Sequence, residues 1–346
     1  MRHKQIIKML IFIAISMIIG AIVFVLLRPY LHKTIPFNNF NKLTQITEEP
    51  SQKIIPFPGW NEREKQRALA VVIDNTESAR PQSGLELAEV VIEVPVEGGQ
   101  TRLLAIISGE DQELLGPIRS ARSYFVDLAS EYEAILVHAG GSMDALETIK
   151  KQKIDNLDEI YGGSIVAAAF WRVMERQKPH NLYTSSDSLR RAAINKKYDL
   201  TTPPTQRQTL GLDEEIDGGE IVSDIAIFYP NRVSLVRYQY NKEKLVFERY
   251  MAEQPHMTAK GEQLKAANIV IQFVSFQYLD GDGRLRLIMH GGGKALIFHE
   301  GQAFVGRWQK TPGQFTKYTD EKGKSLSLAE GPTWIQVVPN GTRIEY

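Results

Sequence analysis

The sequence has no cysteine. That excludes a disulfide scaffold, a thiolate zinc site, a thiol nucleophile and a lipid-modified cysteine. Charge of either sign is also not in excess, since 41 Lys and Arg balance 41 Asp and Glu. A general nucleic-acid binder draws affinity from surplus Lys and Arg, so no nucleic-acid partner is expected. The seven histidines show no His-x-His, His-x-x-x-His or His-Glu-x-x-His spacing. Dinucleotide, P-loop and nucleophile-elbow signatures are missing too, so no metal and no cofactor is expected. Asp280-Gly-Asp-Gly283 opens like a calcium loop but lacks its later ligands, and a hairpin turn accounts for it.

Long apolar runs are scarce, and the one present lies near the amino end. Residues 9–27 are interrupted only by Ser16 and Gly20. At about 1.5 Å per residue, this run nearly spans a bilayer core of roughly 30 Å. No small-x-small cleavage pattern follows it, so the expectation is an uncleaved single-pass anchor. Arg2, Lys4 and Lys8 precede the run, which places the tail of residues 1–8 inside and the bulk of the chain outside the cytoplasm. Setting residues 1–27 aside leaves 38 basic against 41 acidic side chains, so the exported part is mildly acidic.

Residues 28–60 carry Pro29, Pro36, Pro50, Pro56 and Pro58 among polar residues and suit an extracytoplasmic linker. Between 62 and 200, apolar runs of strand length at 70–73, 90–94, 102–107 and 134–137 alternate with helical patterns at 124–133, 143–151 and from Ser186 or Asp187 to 195. Ser142 is placed to cap the second helix. This segment is expected to be an α/β or α+β N-terminal domain. A Pro- and Gly-rich break at 201–220 precedes period-2 alternation over 221–346, expected to be a mostly antiparallel β domain with turns at 280–283 and 291–293.

Several blocks resemble the DUF3048 family, in order and in both its N- and C-terminal domains. They are Arg80-Pro-Gln-Ser-Gly-Leu85, Glu93, Val96-Glu-Gly-Gly-Gln-Thr-Arg102, Gly116-Pro-Ile-Arg-Ser-Ala-Arg122, Val137-His-Ala-Gly-Gly-Ser142 and His180-Asn-Leu-Tyr183, then Gly261-Glu-Gln-Leu264, Gly306-Arg-Trp308 and Gly331-Pro-Thr-Trp-Ile-Gln336. The resemblance implies an extracytoplasmic, envelope-attached bacterial protein, often a lipoprotein. This chain departs from the family in having no cysteine, and in reading His256-Met-Thr where the family has an acid soon after the histidine.

The residues offer several sites. Arg119 and Arg122 stand at the start of the 124–133 helix, where the dipole favours anions. They suit a bound carboxylate or phosphate, or a structural salt bridge to Glu93 or Glu97. His138, Gly140, Gly141 and Ser142 form a strand–turn–helix junction, a usual ligand position in α/β folds, with His138 available as a base. The glycines equally suit a tight connection. With Arg80, Arg102, His180 and Asn181 these residues compose a polar pocket for an anionic or carbohydrate-like envelope ligand. Glu93 and Glu97 compose a carboxylate pair of the glycosidase kind, with Pro95 between them. Trp308 and Trp334 suit sugar stacking or core anchoring. No catalytic set is diagnostic, so binding is the leading expectation. The alternatives are a cell-wall glycan or glycopolymer hydrolase using His138, His180 and Glu97, and a scaffold or regulator of envelope enzymes.

Overall fold

A computed structural model describes residues 66–108, 113–201, 219–230, 234–279, 285–326 and 328–346. All of them belong to one compact unit, Ile54–Tyr346. The N-terminal segment contributes strands β1 (Leu69–Asp74), β2 (Val90–Pro95), β3 (Thr101–Ile107), β4 (Ile135–His138) and β5 (Asn156–Asp158), and a small hairpin of β6 (Phe170–Arg172) and β7 (Leu182–Thr184). Its helices are α1 (Ser123–Glu131), α2 (Met143–Gln152), α3 (Ser164–Ala167) and α4 (Ser186–Asn195). Beyond it come β8 (Glu220–Ile221), β9 (Asp224–Phe228), β10 (Leu235–Asn241), β11 (Val246–Met251), β12 (Gln254–Pro255) and β13 (Lys265–Ala266). The chain closes with β14 (Asn268–Tyr278), β15 (Leu285–Ile288), β16 (Gly291–His299), β17 (Gln302–Lys310), β18 (Lys317–Asp320), β19 (Thr333–Pro339) and β20 (Ile344–Glu345).

The expected pairing of an α/β domain with a separate β domain is corrected here. The described residues are 45% strand and 17% helix. Strands of both segments share one large sheet, ordered β18-β17-β16-β14-β19-β2-β3-β1-β4-β5. Strand β19 lies parallel to both β14 and β2, with Trp334 opposite Val91 and Gln336 opposite Glu93. The physical reason is edge closure: β2 and β14 would each present an unpaired row of backbone groups, and β19 satisfies both. A second sheet, β12-β11-β10-β9-β20, packs as a layer on the first.

The expected transmembrane helix is likewise not supported. Among the described residues no helix is long and apolar enough to cross a membrane, and the 9–27 run lies outside them, as do the tail, the whole linker and most of the 201–220 break.

Burial of both faces explains the near-continuous apolar strands. In β1 all six residues are buried. Leu69, Val71 and Ile73 face α4 and the second sheet, while Ala70 and Val72 face α1 and α2. β-Branched residues suit such doubly covered strands. The caps differ from expectation in detail. Ser142 holds the extended cap position of α2 but makes no capping bond, whereas the Ser185 hydroxyl accepts the Ser188 amide and starts α4. The 280–283 turn lies outside the described residues, between the antiparallel β14 and β15. Gly291–Gly293 is no turn but the start of β16. A Cβ on Gly293 would lie 2.6 Å from Trp308 Nε1, so the glycine admits the indole.

Candidate functional site

Two polar clusters occupy opposite faces of the same strands, and the alternation of β2 and β3 separates them. Glu93 and Thr101 point toward the second sheet, whereas Arg102 points toward α1. On the first face Glu93 is fully buried. Its carboxylate accepts from Asn75 Nδ2 at 3.0 Å, Thr101 Oγ1 at 2.6 Å and an Arg249 guanidinium nitrogen at 2.6 Å. Arg249 is also fully buried, 4.2 Å above the Trp334 ring, and donates to Tyr238 and to His256 Nδ1. Burial alone would lower its pKa, but Glu93 and Tyr238 together outweigh burial and raise it. Because His256 Nδ1 accepts, its Nε2 carries the proton and donates to Gln82 Oε1 at 2.8 Å. Gln82 Nε2 in turn reaches the Asp74 carbonyl and Asn75. Each of these groups is answered by another, so this cluster is closed and structural.

The second cluster is open. Asp74, at the end of β1, lies opposite Arg102 at the start of β3. His180 Nδ1 donates to Asp74 Oδ2 at 2.8 Å, which leaves Nε2 as the ring's acceptor. Arg119 Nε lies 3.2 Å from the same oxygen, but off-line, and finds no hydrogen-bond acceptor. Burial pushes the Asp74 carboxyl up, yet Arg119, the Thr76 amide and His180 outweigh it and hold it below the usual carboxylate range. Arg122 forks onto Glu97 at 2.8 and 3.0 Å, and that pairing holds Glu97 low against its partial burial.

Arg102 is different. It is only 6% exposed, donates to the Ser120 carbonyl at 2.7 Å and is in ion-pair contact with no carboxylate among the described residues. Burial, then Arg122 and Arg119, pull its pKa down to about 10. Arg80 lies between the two clusters, its pKa lowered by burial and by Arg249. Such an accumulation of half-desolvated guanidinium groups has the chemistry to receive an anion. Asp74–His180 adds a group able to accept a proton at Nε2.

The structure therefore brings Arg80, Arg102, Arg119 and His180 together around Asp74, which the sequence reading missed, with Arg122 beside Arg102 on Glu97. Other expected residues fall elsewhere. Glu93 belongs to the closed network, so the Glu93 and Glu97 carboxylates are each neutralised by an arginine of their own and share no open cleft. His138 is fully buried, with Nδ1 on the Gly140 carbonyl at 2.8 Å and Nε2 by Asn156. The Gly140 amide is taken by Asp158 at 2.7 Å, and a Cβ on Gly141 would press on the Ala121 carbonyl at 3.3 Å. The two glycines make the tight connection rather than a ligand cradle, with Ser142 just beyond. Asn181 serves the loop, accepting from Arg172 and donating to the Val173 carbonyl. Trp308 and Trp334 are buried and offer no face to a sugar.

Two family models match this chain, described as the N-terminal and C-terminal domains of a protein of unknown function (DUF3048), over residues 58–199 and 225–335. The chain belongs to the DUF3048 family. It is 34% identical over 293 residues to "Putative lipoprotein YerB" of Bacillus subtilis strain 168, covering 82% of this chain and 86% of that protein. The crystal structure of the Bacillus subtilis YerB protein matches with a TM-score of 0.72 at 33% identity, over 82% of this chain and 95% of that one. The open arginine cluster of this DUF3048 chain falls within the N-terminal match, and Arg249 and His256, which close the other network, fall within the C-terminal match.

Proposed function

We propose that this DUF3048 protein binds an anionic group of an envelope ligand, a phosphate or a carboxylate, between Arg102, Arg119 and Arg122. The observation that carries the reading is Arg102, which is buried, positively charged and, among the described residues, in ion-pair contact with no carboxylate, beside two further arginines. A buried charge held by a single carbonyl contact and crowded by two other guanidinium groups is costly, and an incoming anion relieves that cost. The relative's name as a lipoprotein supports an extracytoplasmic, membrane-associated setting. The lipid of that name does not extend to this sequence, which has no cysteine.

The test is titration calorimetry of the full chain with inorganic phosphate and with glycerol phosphate, at low and high salt. Saturable binding that weakens with salt is expected. Arg102→Met should weaken it at least about tenfold, the loss of one charge-assisted contact, while leaving the thermal midpoint in place. If Arg102→Met instead unfolds the chain and binding never appears in the wild type, Arg102 is structural and the reading fails. Product released from glycerol phosphate, abolished by His180→Ala, would move the assignment toward a hydrolase.

A further inference from the structure

The open cluster lies at the end of the large sheet where β1, β4 and β5 finish and β3 begins. The loops around it carry large apolar side chains in solvent. Met143, the first residue of α2, is 70% exposed, Ile160 is 56% and Tyr161 71%, both just after β5, and Met174, after β6, is 90%. Their nearness to the arginines follows from backbone contacts. A Cβ on Gly140 would lie 3.0 Å from Ile160 Cδ1 and 3.9 Å from the Tyr161 ring. The Gly140 carbonyl accepts the amide of Ala121, the residue before Arg122, and the Ala121 carbonyl accepts the amide of Ser142, the residue before Met143. On the other side, the Val173 amide donates to the carbonyl of Asn181, so Met174 stands beside the His180 loop. Scattered apolar side chains on a surface need no explanation, but four on the loops bordering a charged cluster describe a ligand with a charged head and an apolar body.

We infer that the ligand is a lipid phosphate, its head among Arg102, Arg119 and Arg122 and its hydrocarbon chain across Met143, Ile160, Tyr161 and Met174. This rests on the anion reading above and names its ligand class. Among the described residues Arg102 and Arg119 are not forked onto a carboxylate, and Arg122 spends three of its five N–H donors on Glu97 and the Ala121 carbonyl. Donors from separate positions suit a tetrahedral phosphate with its several oxygens better than a carboxylate, which one arginine fork already satisfies. A bilayer surface is less well matched. The chain has no net positive charge to hold it against anionic lipid, and the arginines are half-buried rather than spread over a face.

The experiment compares octyl phosphate, inorganic phosphate and octyl glucoside on the full chain by calorimetry. The variants are Ile160→Ser/Met174→Ser and Arg102→Met, and any contribution of the apolar 9–27 run is common to all of them. Octyl phosphate should bind at least about tenfold more tightly than inorganic phosphate, since burying a few methylenes suffices for that. The double serine variant should lose most of this gain and keep its phosphate affinity, while Arg102→Met should lose both. An unchanged gain in the double serine variant overturns the lipid inference and leaves the anion reading standing. So does octyl glucoside binding as well as octyl phosphate, or capture by phosphatidylglycerol vesicles without saturable octyl phosphate binding. Failure of both phosphates in the wild type overturns both.

Discussion

Arg249→Met is the most searching test of how this fold is held. The substitution keeps an unbranched side chain over Trp334 but removes the charge that answers Glu93. Both partners of this 2.6 Å pair are fully buried. Breaking such a pair from one side leaves an uncompensated charge and costs about 3–5 kcal/mol. For a domain of this size, at about 2–4 °C per kcal/mol, the thermal midpoint should fall by roughly 6–20 °C. Glu93→Gln removes the other charge while keeping an acceptor for Asn75 and Thr101. The double variant, with no stranded ion, should therefore recover part of the loss, giving a coupling of at least about 2 kcal/mol. Denaturant unfolding of the four proteins, followed by tryptophan fluorescence, closes the cycle. A loss below about 1 kcal/mol in Arg249→Met, or two single losses that simply add, would refute the claim that this pair ties the second sheet to the first.

Two further outcomes are expected. Burial, with the charges of Arg249 and Arg80, holds the His256 imidazole well below its usual pKa, so the native state leaves it neutral. Unfolded histidine takes up its proton near about 6.5; stability should therefore fall as pH drops below that value, by up to about 1.4 kcal/mol per pH unit from this residue. His299, whose pKa burial also lowers, adds to the slope, and His256→Gln should leave only its share. An unchanged slope would count against the network as drawn. Gly306→Ala should cost about 1–3 kcal/mol, because its Cβ would lie 2.3 Å from the Thr319 carbonyl on β18. Faster amide exchange in β18 would accompany the loss, and a midpoint within a degree of wild type would show that the strands part freely.

Local elements were legible because their causes are local. The apolar runs at 70–73, 90–94, 102–107 and 134–137 became β1 to β4 within a residue or two, and the spacing of Phe125, Leu128 and Ala129 marked α1. Strand partners were not legible. Period-2 alternation says which side of a strand is buried but not which strand lies beside it, and β19 pairs with β2 across more than two hundred residues. Arg249 did leave a signal, since Phe247, Arg249 and Met251 alternate on one face, and a charge at an inward position must find a partner. Asp74 ended an apolar run and looked like a boundary residue, yet it anchors Arg119 and His180. His138 misled for a related reason. A histidine at a strand end suits either a base or a buried tie, and only the positions of Gly140 and Asn156 distinguish them.

The two clusters also explain why both segments contribute to one body. The loop after β1 supplies Thr76 and Arg80 to the open cluster, and Gln82 from the same loop reaches His256 and Asn75 in the closed one. Gln82 is pinned through its backbone as well, accepting the Ala259 amide. A loop bordering a desolvated group of arginines is pushed outward by their repulsion unless something holds it. The hold here comes from the second sheet, through Arg249 and His256, which belong to the C-terminal family segment. The closed network is hydrogen-bonded throughout, and that support lets the open cluster keep the buried Arg102 guanidinium, which among the described residues forms no ion-pair contact. The C-terminal segment therefore acts on the arginine cluster without touching it, as the element that fixes the geometry of its border.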